Sequence, residues 1–198
     1  MNPIAEVGPE GVGRAFVAIP SPSGLRAALV EANRRWRTLD ADVKWVDPGV
    51  AHLTLRFLGR APRPALVELD RRLGGLAGRT APVVLEGGST GAFPGWRKPR
   101  IFWLGLEAPA LGELATAVEE AARAAGFEAE ERRFTPHLTI GRVRSPRGLA
   151  PAVEAVRAWR PQTPPETAGG LVLYRSETDR QGPRYTPIES YRLMGKTS

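Results

Sequence analysis

Residues 14–19, Arg14-Ala15-Phe16-Val17-Ala18-Ile19, form a short apolar run between Gly13 and Pro20, the pattern of a buried strand. Leu25, Leu29, Ala32 and Trp36 then recur at spacings of three and four. This predicts an amphipathic helix over residues 23–39, with Ser21 or Ser23 as its cap. A strand follows over 51–58, ending at Gly59, then a helix over 63–76 with Pro64 in its first turn, and a strand at 83–85. The order recurs as a strand at 100–106, an Ala- and Glu-rich helix over 111–125 closed by Gly126, a strand at 137–143, a helix over 149–159 and a strand at 171–174. A further strand is predicted at 190–194, and the stretch 87–99, with its Gly and Pro residues, reads as a connector.

Corresponding points in the two series sit at nearly constant offset: Arg14 to Arg100 is 86 residues, His52 to His137 is 85 and Leu85 to Leu173 is 88. The chain therefore carries an internal duplication of a strand, helix, strand, helix, strand unit. Two copies are too few for a solenoid, so two pseudo-symmetric lobes sharing a cleft are expected. A doubly wound parallel sheet also fits the alternation, but neither half has the Gly-rich strand-to-helix phosphate loop common in that fold. The expected organisation is one bilobal domain over residues 1–198, with halves at about 14–89 and 100–176 and the segment 177–198 completing a sheet.

The duplicated strands contain the only two histidines of the chain, in His52-Leu53-Thr54-Leu55 and His137-Leu138-Thr139-Ile140. Side chains alternate along a strand, so each histidine shares a face with the threonine two residues on, while the aliphatic residues face the core. Such alternation describes any half-exposed strand, and one His-x-Thr is weak evidence. With 12 threonines in 198 residues, two independent matches are a chance event of about one in three hundred. A duplication could also preserve a purely structural pair, and the residues alone leave that alternative open. Two imidazoles with an unperturbed pKa of about 6.5 can serve as general base and general acid in one turnover. Threonine hydroxyls can donate to the non-bridging oxygens of a phosphate, so the set suits in-line attack on a phosphodiester.

Composition narrows the rival chemistries. There is no cysteine, which excludes disulfides, thiolate metal sites and thiol catalysis and fits a reducing compartment. Two histidines without a carboxylate at ligand spacing leave a zinc site short of ligands, so no metal or cofactor is expected. No G-x-x-x-x-G-K-[ST] loop occurs. The longest apolar runs fall far short of a membrane span and no leader pattern opens the chain, so a soluble, cytoplasmic protein is expected. The net charge of +7 suits an anionic partner, with 25 of the 28 basic residues arginine and only Lys44, Lys98 and Lys196 lysine. An arginine-rich, Ala-, Gly- and Pro-rich composition is equally what a GC-rich or thermophilic genome produces.

The chain resembles the two-histidine phosphoesterases, and among them the RNA 2′,3′-cyclic phosphodiesterases long named 2′-5′ RNA ligases. The resemblance rests on residues 45–59, on Pro99-Arg100-Ile101-Phe102-Trp103-Leu104-Gly105 and on Arg133-Phe134-Thr135-Pro136-His137-Leu138-Thr139-Ile140-Gly141-Arg142. It continues in Leu173-Tyr174-Arg175-Ser176 and Gly182-Pro183-Arg184-Tyr185-Thr186-Pro187-Ile188. It implies a bilobal α+β fold, each lobe an antiparallel sheet with flanking helices around a central cleft. It also implies metal-free hydrolysis of a terminal 2′,3′-cyclic phosphate of RNA to a 2′-phosphate, without a cofactor, by a monomer. His52 would protonate the leaving 3′ oxygen, His137 would activate water, and Thr54 and Thr139 would hold the phosphate. Family members also join RNA ends through a 2′-5′ bond without ATP.

Arg142 matches the family's phosphate-binding arginine, yet lies five residues after His137, which a regular strand would turn to the opposite face. A bulge at Gly141 would restore it. Arg56, in register with His52 and Thr54, is the alternative phosphate ligand, and either arginine could equally be a solvated surface residue. Phe57 is a candidate for stacking on a base by family analogy, against an ordinary place in the core. Some relatives of this fold lack catalysis, so a nucleotide- or RNA-binding module is the rival expectation.

Overall fold

The computed structural model describes residues 4, 7–161, 163–178 and 183–196, so Gly182 of the C-terminal match lies outside the described residues. The strands are β1 (Val12–Pro20), β2 (Val43–Trp45), β3 (His52–Ala61), β4 (Val83–Phe93), β5 (Ile101–Glu107), β6 (His137–Val143), β7 (Glu166–Ala168), β8 (Gly170–Thr178) and β9 (Pro183–Arg192). The α-helices are α1 (Ser23–Trp36), α2 (Arg63–Arg79), α3 (Ala110–Ala124) and α4 (Leu149–Ala158). The short strands β2 and β7 have no counterpart in the predicted elements, because three residues carry too little periodicity to register. All strands pair antiparallel, in the order β7-β4-β5-β6-β3-β1-β8-β9, with β2 also pairing with β6.

The fold is α+β, and its two lobes meet where β3 and β6 share one pair, Leu53 opposite Leu138. Helices cover one face of the sheet. Leu53, Leu138, Leu104, Phe102, Val17 and Ile19 are buried against them, while the other face forms the cleft. Burial of such aliphatic and aromatic side chains, at about 25 cal/mol per Å² of apolar surface, is the main force holding helices to sheet.

The spatial lobes are not the sequence halves. β4 of the first half pairs with β5, and β8 of the second half pairs with β1. Helices exchange as well. α3 packs on β3 and α2, while Trp36 of α1 lies 4.8 Å from Trp45 and 5.0 Å from Trp159, ring centre to ring centre, in the other lobe. One lobe thus comprises β1, β3, β8, β9, α2 and α3, and the other the remaining strands with α1 and α4. The stretch 87–99 is accordingly not a connector between lobes. β4 continues to Phe93, and residues 94–100 close a hairpin within one lobe through the Arg100 N–H donating to the Phe93 carbonyl at 2.8 Å.

The start of α1 also departs from expectation. Neither Ser21 nor Ser23 caps it through its own side chain to the helix backbone; Pro22 is the N-cap residue. The carboxylate of Glu166, from β7, accepts instead from the Gly24 N–H at 2.8 Å, the Leu25 N–H at 3.2 Å and the Ser23 hydroxyl at 2.9 Å. These bonds hold the Glu166 carboxyl below its ordinary pKa, the Gly24 bond most. A cap supplied from 142 residues away has no local sequence signature.

Candidate active site

Leu53 and Leu138 are equivalent residues of the duplication, and their pairing places the local pseudo-two-fold axis between them. With both leucines turned into the core, His52, Thr54, His137 and Thr139 share the cleft face, each of the four half-buried. Antiparallel register sets His52 toward Thr139 and His137 toward Thr54. The structure therefore brings together the two motifs that the sequence places 85 residues apart.

Each imidazole is oriented the same way. His52 Nδ1 lies 2.8 Å from the Val50 carbonyl, and His137 Nδ1 lies 2.6 Å from the Thr135 carbonyl. A carbonyl only accepts, so Nδ1 carries the proton in both rings and Nε2 is the atom free for chemistry. Aromatic side chains back both rings. His52 stacks on Phe16 at 4.8 Å and meets the edge of Tyr185 at 5.0 Å. His137 meets Phe93 edge-on at 5.2 Å, with Trp103 at 6.1 Å. Trp103 lies flat over the β4 backbone, because a Cβ at Gly91 would come within 2.0 Å of its ring. Sequence inspection did not mark these aromatics as site residues. Phe16 and Trp103 sit inside apolar runs, where no alternation shows which residues face the cleft, and Phe93 and Tyr185 reach the histidines only through the pairing of β4 with β5 and of β9 with β8.

Burial pushes both imidazole pKa values below the ordinary 6.5, and the positive charge of Arg142 lowers both further; His137 adds to the depression at His52. Bonds to the carbonyls of Val50 and Thr135 oppose the shift without reversing it. Both rings are therefore mainly neutral at pH 7 in the free protein. The folded state binds fewer protons than the unfolded chain as pH falls through 6.5, so this contribution to stability is present above 6.5 and is lost below it. With only two histidines in the chain, proton NMR can follow both. Each Cε1–H resonance is expected to titrate below 6.5, and Arg142→Gln to move both midpoints upward. A midpoint at or above 6.5, or one unmoved by the substitution, would contradict the assigned causes.

Arg142 faces the cleft because β6 is irregular. Thr139 pairs with Trp103 and Gly141 with Phe102, so Ile140 is the extra residue of a bulge and Arg142 comes opposite Ile101 on the cleft side. Gly141 is not the bulged residue. Its lack of a side chain admits Trp45, whose ring a Cβ there would approach to 2.8 Å.

The first lobe has the matching bulge at Leu55, since Thr54 pairs with Ala18 and Arg56 with Val17. This turns Arg56 away from the histidines and corrects the expectation that it reaches the phosphate. Its side chain is 8% exposed and paired with Glu119, and its guanidinium also donates to the carbonyls of Phe57 and Glu128. The same bulge brings Phe57 to the cleft side, opposite Phe16, where it is 52% exposed. Among the described residues, no group of three or more His, Cys, Asp or Glu could hold a metal ion. Nor is any helix among them long and apolar enough to cross a membrane.

A family model described as the 2'-5' RNA ligase superfamily matches residues 25–180. A curated protein of Thermus thermophilus named RNA 2',3'-cyclic phosphodiesterase is 35% identical over 195 residues, covering 92% of this chain and 91% of the relative. One of the same name from Methanothermobacter thermautotrophicus is 31% identical, covering 91% of this chain and 98% of the relative. Against a third, from Geobacillus stearothermophilus, the identity is 32%, with 91% of this chain covered, and the match spans 57% of the relative's length. Among solved structures, the TT0787 protein of Thermus thermophilus superposes with a TM-score of 0.76 at 31% identity, covering 93% of this chain and all of that one.

Proposed function

The chain belongs to the 2'-5' RNA ligase superfamily, and from that premise we propose that it hydrolyses terminal 2′,3′-cyclic phosphates of RNA to 2′-phosphates. The observation that carries the proposal is the pair of imidazoles on one face, each with Nδ1 tied to a carbonyl and Nε2 free. His137 Nε2 takes a proton from water as its oxygen attacks phosphorus. The bond from phosphorus to the 3′ oxygen breaks, and His52 Nε2 gives its proton to that oxygen. Thr54, Thr139 and Arg142 hold the non-bridging oxygens, and the bound anion offsets the charge of Arg142, favouring the protonated His52 that the step requires. Phe57 offers an exposed ring on which the terminal base stacks.

Both proton transfers are met by side chains of this chain, which supports turnover without a metal. Replacing water by the 5′-hydroxyl of a second RNA yields a 2′-5′ bond by the same two transfers, with no ATP consumed. Both motifs come from one chain, so a monomer suffices, and the cysteine-free composition suits a reducing cytoplasm.

The test is an oligonucleotide with a 2′,3′-cyclic phosphate end, incubated with the protein in excess EDTA. The expected result is a 2′-phosphate product at a rate unchanged by the chelator. Tight binding without turnover would instead identify a binding module, and loss of turnover in EDTA would overturn the metal-free route.

A further inference from the structure

The β4–β5 hairpin is polarised in charge. At its open end Glu86 stands opposite Glu107, whereas from Gly87 to Leu106 the chain holds Arg97, Lys98 and Arg100 and no acidic residue. Residues 137–153, along β6 and beyond it, likewise carry Arg142, Arg144 and Arg147 and no carboxylate. Backbone bonds join these segments into one rim. The Val143 N–H donates to the Arg100 carbonyl at 2.9 Å and the Arg144 N–H to the Asp42 carbonyl at 2.9 Å. The hairpin turn therefore adjoins the end of β6 that carries Arg142 on the cleft side. Trp96 anchors this turn, packing on Phe102 at 6.1 Å with the Arg157 guanidinium 5.4 Å over its ring. Arg97, Lys98, Arg100 and Arg144 are all exposed.

Several arginines elsewhere are matched locally. Glu31 pairs with Arg34 and Arg35 on α1, Glu68 with Arg71 and Arg72 on α2, and Glu130 with Arg132, the pattern of a solvated surface. At the rim Arg147 is matched by Asp40. Among the described residues, however, none of Arg97, Lys98, Arg100, Arg142 and Arg144 is in an ion pair, and Asp42 is the one other carboxylate of the adjoining segment 37–43. Gathered like charges repel one another and concentrate a positive field that a polyanion relieves. A cyclic phosphodiester carries a single charge, which Arg142 meets, so the other cations are matched only by further phosphates. We propose that this rim is a binding surface for the backbone of the RNA strand whose end reacts, so that the substrate is a polynucleotide end and not a mononucleotide. The inference rests on the cyclic phosphodiesterase reading. Because the rim runs into a phosphodiester site, a nucleic acid fits it better than an acidic protein. The strand also gains a direction, with its terminal base toward Phe57 and its body over the hairpin turn.

Binding of reaction products tests this without relying on turnover. Calorimetry would compare a short RNA oligonucleotide ending in a 2′-phosphate with the mononucleoside 2′-phosphate. Both are titrated into the parent protein, into a rim variant combining Arg97→Gln, Lys98→Gln and Arg100→Gln, and into an α1 variant combining Arg26→Gln, Arg34→Gln and Arg35→Gln. The two variants lose the same net charge. The rim variant is expected to bind the oligonucleotide about thirtyfold more weakly, from three exposed contacts of about threefold each. Its slope of log Kd against log salt should fall by about 2, while its affinity for the mononucleotide stays at the parental value. The α1 variant should match the parent on both ligands. Equal loss in both variants would reduce the effect to net charge, and equal loss on both ligands would move these residues to the reacting phosphate. Polyglutamate binding that falls as much as RNA binding would make the rim a site for acidic protein. Each of these results, like an unchanged affinity, overturns the proposal. Turnover of the cyclic-phosphate oligonucleotide by the parent protein is scored separately. Hydrolysis without the rim dependence refutes only the surface, and rim-dependent binding without hydrolysis refutes only the reaction.

Discussion

His52→Ala and His137→Ala are each expected to lower kcat for a cyclic-phosphate-ended oligonucleotide by about a thousandfold, within the range that one general acid or base supplies. Each ring contributes one half of a coupled proton transfer. Removing both should therefore cost far less than the product of the two losses, because groups that act as a unit are not additive. Binding of the 2′-phosphate product should change much less than kcat, since Thr54, Thr139 and Arg142 remain. The melting temperature is the necessary control, because His52 packs on Phe16 at 4.8 Å and its removal leaves a gap there. A loss in one variant only, with the other near parental activity, would rule out the two-histidine mechanism.

Arg56→Ala is expected to act on the fold. It removes one partner of a largely buried ion pair and leaves the Glu119 carboxylate, 24% exposed, without its cation. It also removes the guanidinium donor from the carbonyls of Phe57 and Glu128. Breaking a buried pair from one side costs about 3–5 kcal/mol, or a fall in melting temperature on the order of 10 °C for a chain of this size. Below that transition, turnover should stay within severalfold of the parent, whereas Arg142→Gln should do the reverse, keeping stability and losing activity. A stable Arg56→Ala protein with no turnover would return Arg56 to the substrate.

The contrast between these two arginines shows where the strand pattern stopped being informative. Strict alternation puts Arg56 beside Thr54 and turns Arg142 away, and both are wrong because β3 and β6 each carry one extra residue just after the threonine. A bulge is set by how a strand pairs with its neighbour, and Leu55 and Ile140 look like ordinary core residues in sequence. Phe57 likewise gains its exposed place only through the bulge at Leu55. Strand β2 was equally invisible, since it is three residues long and is held by its pairing with β6.

What the sequence determined by itself was local or repetitive: the alternation of strands and helices, the duplication at an offset of 85, and the shared face of each His-x-Thr. Period-two geometry requires no partner, and β6 occupies the predicted residues, His137–Val143. Tertiary structure alone decided which copy each outer element joined. It exchanged β4 with β8 and α1 with α3 between the lobes, and it brought Glu166 to the start of α1. Equivalent elements of a duplicated chain present nearly the same apolar face and can bury it in either copy. Chain connections and long-range pairing settle the choice, and no single segment encodes either.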